Sequence, residues 1–158
     1  ISIISIKKKK LNFHSRFSAK QRIYRYIIYN RSSAPSIDKF RVWHIRKKLN
    51  LRLMKMGAKK LLGTNDYSTF RSSRCSAKSP SKTIKSISVI KKNNKLEIRF
   101  QSQSFLQQQV RSMVGCLKYL AEGKWDIKKF EKNFKSKKRI LCAPPAPPYG
   151  LFLEKVIY

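Results

Sequence analysis

The sequence predicts an α+β fold, a mostly antiparallel sheet with helices packed on one face. Three observations predict it. Residues 22–29 and 82–103 are dense in β-branched and aromatic residues, and much of their apolar content alternates with period two. Residues 104–120 instead repeat their apolar side chains at helical offsets. The elements run strand, strand, helix, hairpin, helix, short helix, strand, without the regular alternation of a parallel βαβ chain.

Taken in order, residues 1–6 alternate isoleucine and serine as a half-buried strand would, and four lysines close the segment. In the strand at 22–29, Ile23, Arg25, Ile27 and Tyr29 share one face, and Tyr24, Tyr26 and Ile28 the other. Just before it, Phe13 and Phe17 stand among His14, Arg16 and Lys20. That mixture suits phosphate contact and base stacking, with burial of the two phenylalanines as the plainer expectation. Residues 31–48 read as a loop. Asn50 is placed to cap a helix carrying Leu51, Met54, Ala58, Leu61 and Leu62 on one side, which Gly63 would end. A polar connection over 64–74 follows, containing a turn at 63–66. The hairpin at 82–103 turns at Asn93 and Asn94.

The helix at 104–120 is the centre of the pattern. Leu106, Val110, Met113, Val114, Leu117 and Leu120 form its core stripe. Gly115 costs such a helix roughly 1 kcal/mol against alanine, so a close neighbour is expected there. Arg111, one turn earlier, borders the stripe. Two readings of it stay open on the pattern alone: a guanidinium that snorkels to water, or one aimed into a cleft. A short amphipathic helix at 125–134, with Asp126 as its cap, a proline-rich crossing segment at 142–149 and a final strand at 151–158 complete the chain.

The 158 residues carry 38 Lys and Arg against 7 Asp and Glu, a formal charge of +31, with 41% hydrophobic residues. That describes a folded body attractive to a polyanion, nucleic acid first. A membrane surface is the weaker choice, since no segment has the apolar length to span a bilayer. A bias towards Lys, Ile, Asn and Ser accounts for part of the charge without any partner. Cys75, Cys116 and Cys142 are odd in number and far apart in sequence, which speaks for a reducing compartment and against a zinc site or a disulfide frame. His14 and His44 add no metal pattern. There is no secretory leader pattern, and a first residue of isoleucine suggests that the start of the protein lies upstream.

Nucleotide-binding and hydrolase motifs are absent. Among the carboxylates, Asp38 stands beside Lys39 and Arg41, Glu97 would point outward from its hairpin, and Glu122, Glu131 and Glu154 suit nearby lysines. Asp66 is explained by turn chemistry. The chain has a poised arginine and no evident acid to pair with it.

Four segments in order, FHSRFSAKQRIYRYIIYN at 13–30, GTNDYSTFR at 63–71, SFLQQQVRSMVGCL at 104–117 and APPYGLFLEKVIY at 146–158, resemble the TruA family of tRNA pseudouridine synthases. The first resembles that family's F-H-A-R-F-S-A…R-x-Y-x-Y-x-I-x-N signature. The resemblance implies an enzyme that isomerises neighbouring uridines of the tRNA anticodon stem-loop, without a cofactor or a metal, as a homodimer. Its cytoplasmic setting has an organelle as the alternative. The family's catalytic aspartate, in a G-R-T-D-A-G loop, has no counterpart in this sequence. By resemblance, residues 1–11 are the end of an N-terminal catalytic domain and 12–158 the C-terminal α+β domain. Arg111 matches the arginine that pairs with the aspartate, and Tyr24 the tyrosine that stacks on the target base. Arg16, Lys20, Arg22, Arg25, Arg71 and Arg74 are assigned to tRNA phosphates. The competing expectation is a non-catalytic RNA-binding component of a ribonucleoprotein.

Overall fold

Ten residues of alternating aromatic, cationic and branched side chains form the central strand on which the molecule is assembled, β1 (Gln21–Asn30). The computed structural model describes residue 3 and residues 5–158. The strand expected over 1–6 falls partly on residues 1, 2 and 4, outside the described residues. Ile3, Ser5 and Ile6 are exposed and in no regular element.

One long edge of β1 pairs antiparallel with β5 (Lys95–Ser102), which continues into β4 (Ser81–Lys92) and then β3 (Gly63–Asp66). The other edge is shared. Its first half pairs antiparallel with β6 (Leu151–Ile157), and its last three residues pair parallel with β2 (Trp43–Ile45). The sheet is therefore six-stranded and antiparallel except at β2. Two strands, β2 and β3, lie where the sequence suggested a loop and a turn. Both are three or four residues long, too short for alternation to declare itself.

Tyr26 and Ile28 of β1, Leu96, Ile98 and Phe100 of β5, and Ile84 and Val89 of β4 build a buried face under the helices. Three helices belong to that core: α1 (Leu51–Lys60), α2 (Gln109–Ala121) and α3 (Ile127–Lys135). Asn50 caps α1 by accepting from the Leu53 N–H at 3.1 Å, and Asp126 caps α3 by accepting from Lys129 at 2.6 Å. Met54, Ala58 and Leu61 are buried as their spacing predicts, while Leu62 is partly exposed beyond the helix end.

The six stripe residues of the 104–120 segment are all buried, yet the helix begins five residues after the start of that segment. Gln108 has φ of 62°, left-handed backbone that cannot continue a helix, and the Gln109 side chain accepts from the Leu106 N–H at 2.8 Å. Residues 104–107 thus enter α2 as an irregular turn. Gly115 has its expected neighbour: a Cβ there would stand 2.1 Å from the Pro144 carbonyl oxygen. The proline-rich segment crosses α2 directly over this glycine.

Candidate active-site groove

Arg111 lies on the first turns of α2, where the crossing segment runs past. Its backbone carbonyl accepts from the Ala146 N–H at 3.0 Å, and its Nε donates to the Ala146 carbonyl at 2.6 Å. This reciprocal clamp fixes the side chain by its inner nitrogen. The two terminal nitrogens have no hydrogen bond or ion pair among the described residues, so the forked end of the guanidinium is free.

The free fork borders an open groove of about 850 Å³ between β1, the turn entering α2 and the loop 74–77. Tyr24 lines the same groove, its ring edge-on to Phe105 with centroids 5.3 Å apart. Tyr24 is half-buried, on the helix side of β1, directly after an irregularity in the β1–β6 register between Ile23 and Tyr24. Tyr26, two residues on, is wholly buried and donates to the Pro147 carbonyl at 2.8 Å. Burial pushes its phenol well above the ordinary tyrosine range, Tyr149 adds to the rise, and Arg111 opposes it. Tyr26 therefore ties β1 to the crossing segment as a neutral donor.

The six basic residues expected on RNA divide. Arg16, Arg22 and Arg74 line the groove, whereas Lys20, Arg25 and Arg71 do not. Arg22 spends both terminal nitrogens on the carbonyls of Gln103 and Arg16, joining two walls. Arg71 donates to the carbonyls of Cys75 at 2.8 Å and Ala77 at 2.6 Å, shaping the 75–77 rim from behind. Arg25 is on the opposite face of the sheet, against the Phe152 ring at 5.7 Å. Period two in β1 already required Arg25 and Tyr24 to face apart. Lys20 is exposed at the strand entrance, its N–H bonded to the Ile157 carbonyl. Phe17 is 73% exposed beneath Arg16, so the expectation of a buried anchor fails. Its ring lines the groove, with His14 packed against it at 4.4 Å between centroids.

Every carboxylate is engaged away from Arg111. Asp38 pairs with Lys95, Asp66 with Ser68 and Lys137, Glu131 with Lys60, and Glu122 with Lys118 and Lys124. Glu154 pairs with Arg99, and Asp126 is a helix cap. Glu97 is on the helix-free face as alternation predicts but is buried there, 3.1 Å from Arg99. The groove therefore combines a clamped arginine, a tyrosine held edge-on by Phe105 and a cationic rim with no acid.

Three contributors were not singled out by sequence. Phe105 packs on Tyr24. Gln109, fully buried in a run of three glutamines, shapes the turn and leaves its Nε2 unpaired. Cys75 sits on the rim; burial raises its thiol, but the Ala77 and Gln107 N–H groups and Arg71 outweigh that and hold it below the ordinary value. Among the described residues no three potential metal ligands cluster, and no helix is long and apolar enough to cross a membrane.

A family model described as tRNA pseudouridine synthase matches residues 58–158. Over its whole length the chain is 70% identical to tRNA pseudouridine synthase A of Pelagibacter ubique, covering 64% of that protein. It is 41% identical to the protein of the same name from Parvibaculum lavamentivorans, covering 64%, and 39% identical to that of Brucella anthropi, covering 63%. The chain thus spans just under two thirds of the length of these relatives.

Proposed function

The chain belongs to the tRNA pseudouridine synthase family, and from that membership we propose that it forms one wall of the active site of an enzyme isomerising uridine to pseudouridine in the tRNA anticodon stem-loop. The observation that carries this reading is the Arg111 guanidinium, clamped by Nε and presenting a free fork to a groove that holds no carboxylate. The catalytic acid is an aspartate outside residues 1–158, belonging to a domain of which residues 1–11 are the end. Two parallel N–H donors suit a carboxylate and keep it ionised in a desolvated cleft. Lysine offers no such fork.

The reaction breaks the bond between uracil N1 and ribose C1′, turns the base, and joins C5 to C1′. The proton on C5 leaves and N1 ends protonated. Tyr24 stacks on the extruded base and assists removal of the C5 proton. A stacked aromatic contributes about 1 to 3 kcal/mol, comparable with the few kcal/mol that extrusion costs. Arg16 and Arg74 on the rim, with Lys20 at the strand entrance, meet phosphates and position the RNA without reading its sequence. Arg22 and Arg71 act chiefly by holding the walls in place, and Arg25 adds only to the field. A homodimer accords with the resemblance.

The test uses the full-length protein and tRNA carrying tritium at uracil C5. Release of tritium into water, with pseudouridine in the anticodon stem-loop, is the expected result. Tight tRNA binding without release would replace the enzyme by a non-catalytic RNA-binding protein.

A further inference from the structure

Cys116 and Cys142, 26 residues apart in sequence, are brought to 3.5 Å between sulfurs. Cys116 is on the buried side of α2, one residue after the glycine that the crossing segment covers. Cys142 opens that segment and is half-buried, the more exposed residue of the pair. The surroundings are polarised. The Ala143 N–H donates to the Cys116 sulfur at 3.4 Å, and Arg139, bonded to the Ser112 hydroxyl at 3.0 Å, stands beside Cys142. The Cys116 thiol, facing Cys142 and buried, is raised far above its ordinary range. The Cys142 thiol is lowered, first by the hydrogen bond from Cys116 and then by Arg139, against the effect of burial. The pair has the division of labour that thiol–disulfide exchange needs: a sulfur with thiolate character on the more exposed residue and a buried one that holds the proton.

We propose that Cys116 and Cys142 are a modification site for low-molecular-weight disulfides of the glutathione class, closing to a reversible intramolecular disulfide that pins the crossing segment to α2. In the first step the Cys142 thiolate attacks the small disulfide, forming a mixed disulfide and expelling one small thiolate, which takes up a proton. Cys116 then loses its proton and attacks the Cys142 sulfur, expelling the second small thiolate, which takes up that proton. Two protein thiols are oxidised by two electrons in all, and one small disulfide is reduced to two thiols. A thiol reductant reverses both steps. The bond forms just beyond the Gly115–Pro144 contact, which lies between it and the Ala146 clamp on Arg111, so it fastens the start of the segment that holds the groove arginine. Cys75 has neither sulfur within bonding reach in the structure and serves as the internal control.

The experiment treats the full chain with glutathione disulfide, quenches with acid and maps peptides without reduction. A cross-linked pair of peptides joining Cys116 to Cys142, removed by a thiol reductant, is the expected product, with Cys75 carrying glutathione or remaining free. Closing a loop of this length also raises the melting temperature, with about 10 °C as the chain-entropy ceiling. In Cys116→Ser the glutathione stays on Cys142, because nothing resolves it. Recovery of Cys116 and Cys142 as free thiols, or of each carrying its own glutathione, under conditions that modify Cys75, would overturn the proposal. The wild-type map decides this even if the serine variant fails to fold.

Discussion

Arg111 and Arg71 are both half-buried arginines hydrogen-bonded to loop carbonyls, and the difference between them is which nitrogen is used. Arg71 gives a terminal nitrogen to Cys75 and Ala77, so the end of its guanidinium is enclosed by its own loop. Arg111 gives Nε to Ala146 and leaves the fork facing the groove. One arginine is spent on its own loop; the other keeps its fork free. Counting cations in a basic sequence cannot make that distinction, because it depends on the identity of the bonded atom.

The largest effect belongs to Arg111→Ala. In the full-length protein turnover should fall by three orders of magnitude or more, about 4 kcal/mol of transition-state stabilisation, while tRNA binding falls only modestly. Equal loss of binding and turnover would remove the contrast with Arg71. Next is Gly115→Ala, which drives a methyl group into the Pro144 carbonyl and should cost about 2 to 4 kcal/mol in denaturant unfolding. An unchanged midpoint would mean that the crossing segment does not rest on α2 as described.

Arg71→Ala should lower stability by about 1 to 3 kcal/mol, since two part-buried carbonyls lose a charged donor. Lys20→Ala should leave stability alone and reduce the salt slope of tRNA binding by about one unit. If the two variants exchange these signatures, the sorting of structural from RNA-facing cations is wrong.

The smallest effect is a pH dependence at Tyr26. Its folded pKa is raised above the unfolded value of 10.0, so its stabilisation is complete below pH 10 and is lost as pH rises further. Tyr26→Phe should therefore be less stable than wild type at neutral pH by about 1 kcal/mol, with the gap narrowing above pH 10. Paired thermal melts across that range measure it; a gap that widens would contradict the assignment of a neutral buried donor.

Most of the fold was legible in sequence because long periodic segments declare themselves. The stripe on α2, the caps Asn50 and Asp126 and the hairpin all stand as their spacing predicts. β2 and β3 escaped because strands of three or four residues are defined by partners far away in sequence. The start of α2 escaped because the left-handed turn at Gln108 has no residue signature; glycine or asparagine would have marked it. At the groove, Tyr24 and Arg111 were reached by resemblance, and Gly115 by its cost within a helix. The Ala146 carbonyl was beyond any side-chain pattern, since a backbone acceptor carries no residue identity. The meeting of Cys116 and Cys142 was hidden by a spacing of 26 residues that only the crossing segment closes.

On the proposed function, the Arg111 fork is half of an ion pair whose carboxylate lies outside residues 1–158. A crystal structure of the full-length protein tests it most directly. The expected result is an aspartate from another part of that protein with both oxygens about 2.7 to 2.9 Å from the terminal nitrogens of Arg111, while Nε stays on Ala146. A fork that meets only solvent, or a carboxylate from within this chain, would contradict it.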